Sequence, residues 1–165
     1  PRSFPAFRDI ALAIQQDYNV TWLEAEYNTA IATGQMAVRW QDFQDNREGL
    51  PYLRYVTAGD ERVRLAHQLL QGTVRHIDDK FWDEWLPPVG WNCRCDVEQV
   101  AGGETDWPEY LPDEKQAPAA FRFNAGKTRQ LFGPDHPYFA GFKEQERDRI
   151  TKAMQGMSEK EGLKP

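Results

Sequence analysis

Near the N-terminus, apolar positions recur at helical spacing. Phe7, Ile10, Ala11 and Ile14 fall at i, i+3, i+4 and i+7, which predicts a short amphipathic helix over residues 5–18. Thr21 and Glu24 then make an S/T-x-x-E pattern, whose side chains can satisfy exposed amides in a first helical turn, so a second helix is expected to open there. Trp22, Thr29, Met36, Trp40 and Phe43 lie close to one stripe, and Leu23, Tyr27, Ala30, Ile31 and Val38 widen it. So wide a stripe predicts a helix buried along much of its length, ending before Gly49 and Pro51.

After Pro51 the period changes from helical to alternating. Residues 52–57, Tyr-Leu-Arg-Tyr-Val-Thr, predict a strand bounded by Pro and Gly. Asp60 has the character of a helix N-cap, and residues 61–70, closed by Gly72, predict a helix of about three turns. Residues 73–77 predict a second strand, residues 78–86 a short acidic and aromatic helix stopped by Pro87-Pro88, and residues 93–100 a third strand. On such a strand Cys93 and Cys95 point to one face and Arg94 to the other. Residues 101–118, with Glu104, Asp106, Glu109, Asp113 and Glu114, predict an irregular, exposed acidic connection. Phe121-Arg-Phe123 with Asn124 and Gly126 predicts a brief strand and turn, and residues 133–137 forbid a helix across them. Residues 143–154 predict a charged helix ahead of a loose tail.

Composition narrows the class. The 165 residues are 40% apolar and 13% aromatic, with six tryptophans. A chain of this size buries roughly 70% of its unfolded surface without needing a disulfide or metal staple. No apolar run approaches the ~20 residues that cross a bilayer, and no charged-then-apolar leader opens the sequence, so no membrane partner is expected. It begins at Pro1 rather than Met, and an upstream signal would be invisible. A net charge of −6 argues against a broad phosphate-binding surface, so specific nucleic-acid binding is not expected. The two cysteines sit one residue apart, unlike a secreted disulfide framework, which favours reduced thiols or metal ligands in a cytosolic compartment.

The candidate chemistry concentrates in residues 55–95. His67, Cys93 and Cys95 supply three of the four ligands zinc prefers, with His76, His136 or Asp60 left to provide the fourth. The plainer alternative is a pair of buried free cysteines beside a hydrogen-bonded histidine. A cysteine nucleophile assisted by Arg94 and His67 would lack any accompanying substrate-binding element. A metal-dependent nuclease would use His67 as base, with Arg62 and Arg64 on phosphate. On a helix residues 60, 64 and 67 share a face, so an internal Asp60–Arg64 ion pair orienting His67 is an equally simple reading. Phosphate-loop and dinucleotide signatures are absent. Trp82, Trp85 and Trp91, interleaved with Phe81, Pro87 and Pro88, suit the packing of a small core better than a ligand cage.

The ordered string Arg54-Tyr55-Val-Thr-x-x-Asp60, Arg62-x-Arg64-x-x-His67, Gly72, Asp79-x-Phe81-Trp82 and Pro87-Pro88-x-Gly90-Trp91-Asn92-Cys93-Arg94-Cys95 resembles the Mu F-like phage head morphogenesis family of minor head, or minor capsid, proteins. Trp22-Leu-x-x-Glu26-Tyr27-Asn-Thr-Ala30 with Trp40, and Phe121-x-Phe-Asn124-x-Gly126-Lys127 with His136-Pro-Tyr138, extend the likeness over most of residues 20–140. It implies a structural protein without catalytic activity, in the virion at the head interior or portal, and in the bacterial host cytoplasm during assembly. Its implied partners are portal, scaffold or major capsid proteins, and its implied role is head assembly or early DNA packaging. Some relatives carry a C-x-x-C pair upstream and a His before the C-x-C. Arg64 and His67 stand at that pair here, and Gly90 or Trp91 at that His, so this chain departs from the fuller metal-ligand set, and the expectation of zinc as cofactor rests on the residue chemistry of His67, Cys93 and Cys95 alone. Relatives joined to C-terminal toxins also occur, but no toxin signature follows in this chain.

The expected fold is α+β: an N-terminal helical hairpin packed on a small antiparallel sheet of about three strands centred on the C-R-C strand, with short helices and an irregular C-terminal region. The expected division is a helical region (1–50), an α+β core (51–140, with the acidic connection at 101–118) and a charged helix and tail (141–165). Asp60, Arg62, Arg64, His67, Trp82, Trp91, Asn92, Cys93, Arg94 and Cys95 are expected to hold the middle block together.

Overall fold

In the computed structural model the alternating run after Pro51 becomes the middle strand of a three-stranded antiparallel sheet. Strand β1 (Tyr52–Val56) pairs on one side with β2 (Val74–His76), placing Tyr52 opposite His76. On the other side it pairs with β3 (Asp96–Val100), placing Tyr55 opposite Val97. The period of two sends Leu53 and Tyr55 into the core with no exposed surface, while Arg54 stays on the outer face and reaches Glu98 across the strands at 3.3 Å. The structure describes residues 3–14, 20–108, 118–133, 135–136 and 145–146. The chain divides into two units, Pro1–Gly133 and Pro134–Pro165, and the fold described here is that of the first.

Helices α1 (Phe4–Ile14) and α2 (Val20–Asp45) form the N-terminal pair, joined through Tyr27, whose ring lies 5.5 Å from that of Phe4 and 5.3 Å from that of Phe7. The buried side of α2 is Leu23, Thr29, Thr33, Met36, Trp40 and Phe43, spaced by four and three from Thr29 onward so that they share one face of the helix. This face is narrower than the sequence suggests: Trp22 and Val38 are 71% and 68% exposed. Thr21 lies within α2, which already includes Val20, so it does not precede the helix as a cap. The buried threonines cost little, because Thr29 Oγ1 donates to the Ala25 carbonyl and Thr33 Oγ1 to that of Thr29.

Met36, Trp40 and Phe43 meet Leu53, Tyr55, Leu70, Ile77, Phe81, Trp82, Trp85, Leu86, Val89 and Val97 in one core. Short helices α3 (Leu65–Gln68) and α4 (Phe81–Glu84) cross its margins. Phe81 and Trp82 pack edge to face at 4.8 Å, so these aromatics do serve as core. The fold is α+β, as the sequence implies.

Three local expectations are corrected and a fourth is refined. The helix over 61–70 shrinks to the single turn α3, since Asp60 accepts the Arg62 amide in a local turn and the helix starts only at Leu65. The third strand begins at Asp96, because Asn92 has φ 52° and the Cys93 amide donates back to the Gly90 carbonyl, closing a turn. Residues 121–123 are not a strand. Ala119–Phe121 is a 3-10 turn followed by helix α5 (Ala125–Thr128), which Asn124 caps by accepting the Lys127 amide at 3.0 Å. The acidic connection is exposed over residues 101–107 as expected, yet it is tied down. The Thr105 amide donates to the Val74 carbonyl, and Arg75 reaches both Asp79 and the Thr105 carbonyl, so the connection covers the free edge of β2. The helix expected over 143–154 lies almost wholly outside the described residues.

Helix α5 docks on α2 at a glycine. A Cβ on Gly126 would fall on the Cβ and Cγ of Trp40, which are too close to the backbone to move aside cheaply. Gly126→Ala is therefore expected to destabilise the fold by about 2–3 kcal/mol in urea unfolding, whereas Gly49→Ala, with nothing within 4 Å of the added carbon, should stay within about 0.5 kcal/mol.

Candidate functional site

Three chain segments meet beside the C-terminal half of β1. The turn Trp91-Asn92 carries Cys93, Arg94 and Cys95 into β3, the loop after β1 carries Asp60, Arg62 and Arg64, and α3 carries His67. The imidazole of His67 is buried, with Nδ1 3.6 Å from Cys93 Sγ and 3.4 Å from Cys95 Sγ. The three ligand atoms lie within 4.8 Å of one another, so the sequence-predicted trio is brought together. Alternation on a strand is not what achieves it. Cys93 and Cys95 precede β3 and are both half-buried against the core, while the intervening Arg94 is exposed.

The surrounding polar contacts fix the segment. Arg94 pairs with both carboxylate oxygens of Asp60 at 2.6 and 2.7 Å. Arg64 donates to the Trp91 carbonyl at 2.7 Å. The expected Asp60–Arg64 pair does not form, because the helix that would have set them one turn apart begins only after Arg64. The Asn92 amide donates to Thr29 Oγ1 at 3.2 Å, tying the turn to α2. Arg64 and His67 both flank Gly90, where an added Cβ would stand 3.4 Å from the guanidinium and 3.9 Å from the imidazole. The Trp91 ring meets Phe121 edge to face at 5.0 Å. Trp82 is fully buried, with Nε1 3.4 Å from the Arg75 carbonyl and its own carbonyl accepting from Asn124.

The two thiols influence each other unequally. Cys93 is pushed down, first by its neighbour Cys95 and then by His67 and the backbone amides, against the opposing pull of burial. Cys95 is pushed up by Cys93 and by burial. Of the remaining zinc candidates, His76 lies on β2 and accepts the Asp78 amide, and Asp60 holds Arg94. Among the described residues no fourth side chain joins the cluster. A cavity of about 20 Å³ opens beside it, lined by His67, Asn92, Cys93 and Cys95 among others, and a larger groove of about 620 Å³ runs between α2 and the same cysteines.

Sequence reasoning missed Tyr55. Its hydroxyl is buried without a hydrogen-bond partner, in the part of the core against which both cysteines pack. Burial first, then the neighbouring Cys93 and Cys95, push its pKa well above the usual 10. The available signal was a tyrosine at an inward position of an alternating strand, where its O–H needs a partner.

Residues 6–98 match the family described as Phage Mu protein F like protein. A Mu-like prophage FluMu F protein of Haemophilus influenzae is 38% identical over 69 residues, 42% of this chain and 17% of that protein. A putative capsid assembly protein F of Escherichia phage Mu is 37% identical over 75 residues, 46% of this chain and 17% of that protein. The aligned stretch thus spans about a sixth of each relative's length. No solved structure matches.

The Asp60–Arg94 pair has a definite acid signature. Hydrogen bonds from Arg94 lower the Asp60 carboxyl from 3.8 to about 2, so its contribution is complete above 3.8 and lost as pH falls through about 2. Carboxyl titration followed by NMR should find a midpoint near 2 in the wild type, rising toward 3.8 in Arg94→Ala. A midpoint unmoved by that substitution would rule the pairing out.

Proposed function

This chain belongs to the phage Mu protein F like family, and we propose that it is the head-morphogenesis portion of a phage or prophage minor capsid protein, acting in capsid assembly through protein contacts. The extent of the family match carries the reading: residues 6–98 run from α1 into β3 and take in the whole α2–sheet core and the His67–Cys93–Cys95 cluster. The name of the phage Mu relative, a putative capsid assembly protein, supplies the direction. The partners are then portal, scaffold or major capsid proteins, with a role at the portal during early DNA packaging. The protein would act in the bacterial host cytoplasm during assembly and remain in the virion. A net charge of −6 favours protein over phosphate contacts, and Val38, exposed on the outward side of α2, adds apolar surface for them.

A second reading concerns what locks the cluster: zinc held by His67, Cys93 and Cys95. Tetrahedral zinc keeps thiolate sulfur at ~2.3 Å and imidazole nitrogen at ~2.0–2.1 Å, which sets N···S separations of roughly 3.5 Å. The observed 3.4 and 3.6 Å fit that requirement. Two thiolates would balance the ion's charge. The fourth ligand would be a water, for which about 20 Å³ is sufficient room. Bound there, zinc would act as a structural cross-link between α3 and the segment leading into β3.

Disrupting the coding gene in the phage or prophage that carries it is expected to deplete DNA-filled heads on induction, counted by electron microscopy and restored in trans. Normal yields of filled heads would contradict the assembly role. For the metal reading, elemental analysis should find stoichiometric zinc, lost in a Cys93→Ser, Cys95→Ser variant, and chelation should lower the melting temperature. Metal-free protein whose melting is indifferent to zinc would remove that reading.

A further inference from the structure

The small cavity beside the trio has a lining whose charge the metal reading does not use. Of its nine lining residues three are arginines, Arg62, Arg64 and Arg94, and none is acidic. All three are exposed, so the cavity borders solvent among guanidinium groups. Arg94 is already occupied, with both terminal nitrogens on the Asp60 carboxylate. Arg64 gives a donor to the neutral Trp91 carbonyl, and Arg62 engages Asp60 through its backbone amide. Among the described residues neither Arg62 nor Arg64 forms a salt bridge. Two positive charges without an ion-pair partner thus border one small cavity in a chain whose net charge is −6.

The fold sets those charges beside the ligand trio. His67, Cys93 and Cys95 line the same cavity as the arginines. Arg64 Nη1 and His67 Cε1 both approach the position of a Gly90 Cβ, at 3.4 and 3.9 Å, which makes the guanidinium and the imidazole near neighbours. A zinc ion on two thiolates and a neutral imidazole has no net charge, and among the described residues no side chain fills its fourth position. Zinc also takes carboxylate oxygen, at ~2.0–2.2 Å. A carboxylate there leaves one negative charge on the centre, which a neighbouring guanidinium offsets while its planar fork grips the second oxygen. About 20 Å³ is room for the one donor atom that replaces water. A nucleic-acid backbone would bring many charges against this acidic chain, whereas a single carboxylate brings one.

We propose that the fourth position of the His67–Cys93–Cys95 zinc centre is an anion site, at which a carboxylate displaces water and is held by Arg62 and Arg64. This rests on the metal reading above and deepens it. The centre is then open on one side, and its ligand is the acidic side chain of a partner protein or a small free carboxylate.

Cobalt substituted for zinc supplies the probe. Acetate titrated into the cobalt-loaded protein should shift the visible ligand-field bands to saturation, and calorimetry should find no acetate binding to metal-free protein. Arg62→Ala should weaken acetate binding roughly 10-fold, as expected for loss of a charge-assisted contact. Its zinc affinity, measured by competition with a chromophoric chelator, should be unchanged, and Arg62→Lys should recover part of the loss in acetate binding. A capped peptide carrying a single glutamate, run in parallel, separates the sources: tighter binding than acetate assigns the site to a partner's side chain, and equal or weaker binding assigns it to a small carboxylate. Cobalt bands that acetate leaves unmoved, or equal acetate affinity in wild type and Arg62→Ala, would overturn the anion site and leave zinc binding intact. Tighter binding of inorganic phosphate or of an oligonucleotide would overturn the choice of carboxylate. Failure of the wild type to take up zinc or cobalt would overturn the metal reading and this inference together. Should the variants fail to fold, the wild-type titrations of acetate and phosphate decide alone.

Discussion

Two thiols and an imidazole occupy one small volume at the margin of the hydrophobic core, and the arrangement of the surrounding chain depends on holding them there. His67 stands on a single helical turn, too short to be stable alone. The cysteines lie on a segment that is not yet strand. What fixes both is a set of ties from outside: Asp60 to Arg94, Arg64 to the Trp91 carbonyl, and Thr29 to the Asn92 amide. Two come from the loop after β1 and one from α2, and they reach Trp91, Asn92 and the arginine between the cysteines. Exposed ion pairs are individually weak, so Asp60–Arg94 matters for register more than for stability. The convergence itself sits on Tyr55 and the core beneath.

Such a site is costly in a core otherwise made of Leu, Ile, Val, Met, Phe and Trp. The Tyr55 hydroxyl and His67 Nε2 are buried unpaired, while the threonines of α2, equally buried, satisfy their hydroxyls on their own helix. Two such atoms at and beneath one trio mark a place where local packing rules yield to another requirement. Under the zinc reading that requirement is to hold three ligand atoms around a dication.

Much of this was legible in residue order. Alternation located β1 and β2, and aromatic density located the core, because both depend on burial of a sheet face. Cys93, Cys95 and His67 were identifiable as a trio from residue chemistry. Their geometry was not, since it depends on a left-handed Asn92 and on a turn that delays β3 to Asp96. The helix assigned to residues 61–70 failed for a related reason: Asp60 engages the Arg62 amide and Arg94 across the fold, and neither contact appears in a helical periodicity. Helix α5 was hidden behind Phe121-Arg-Phe123, which alternates like a strand although its packing is set by a glycine against Trp40. The family match ends at residue 98, so α5 and the 3-10 turn lie beyond it. The trio falls inside it, which joins the site to the part of the chain that carries the capsid-assembly reading.

The zinc reading proposed above makes His67, Cys93 and Cys95 one metal centre that closes the fold. Zinc K-edge X-ray absorption on the purified protein tests it most directly. Two sulfur neighbours at ~2.3 Å and an imidazole nitrogen at ~2.0–2.1 Å are expected, with a light atom completing the shell. A shell of oxygen and nitrogen alone, or one unchanged when both cysteines are replaced by serine, would contradict it.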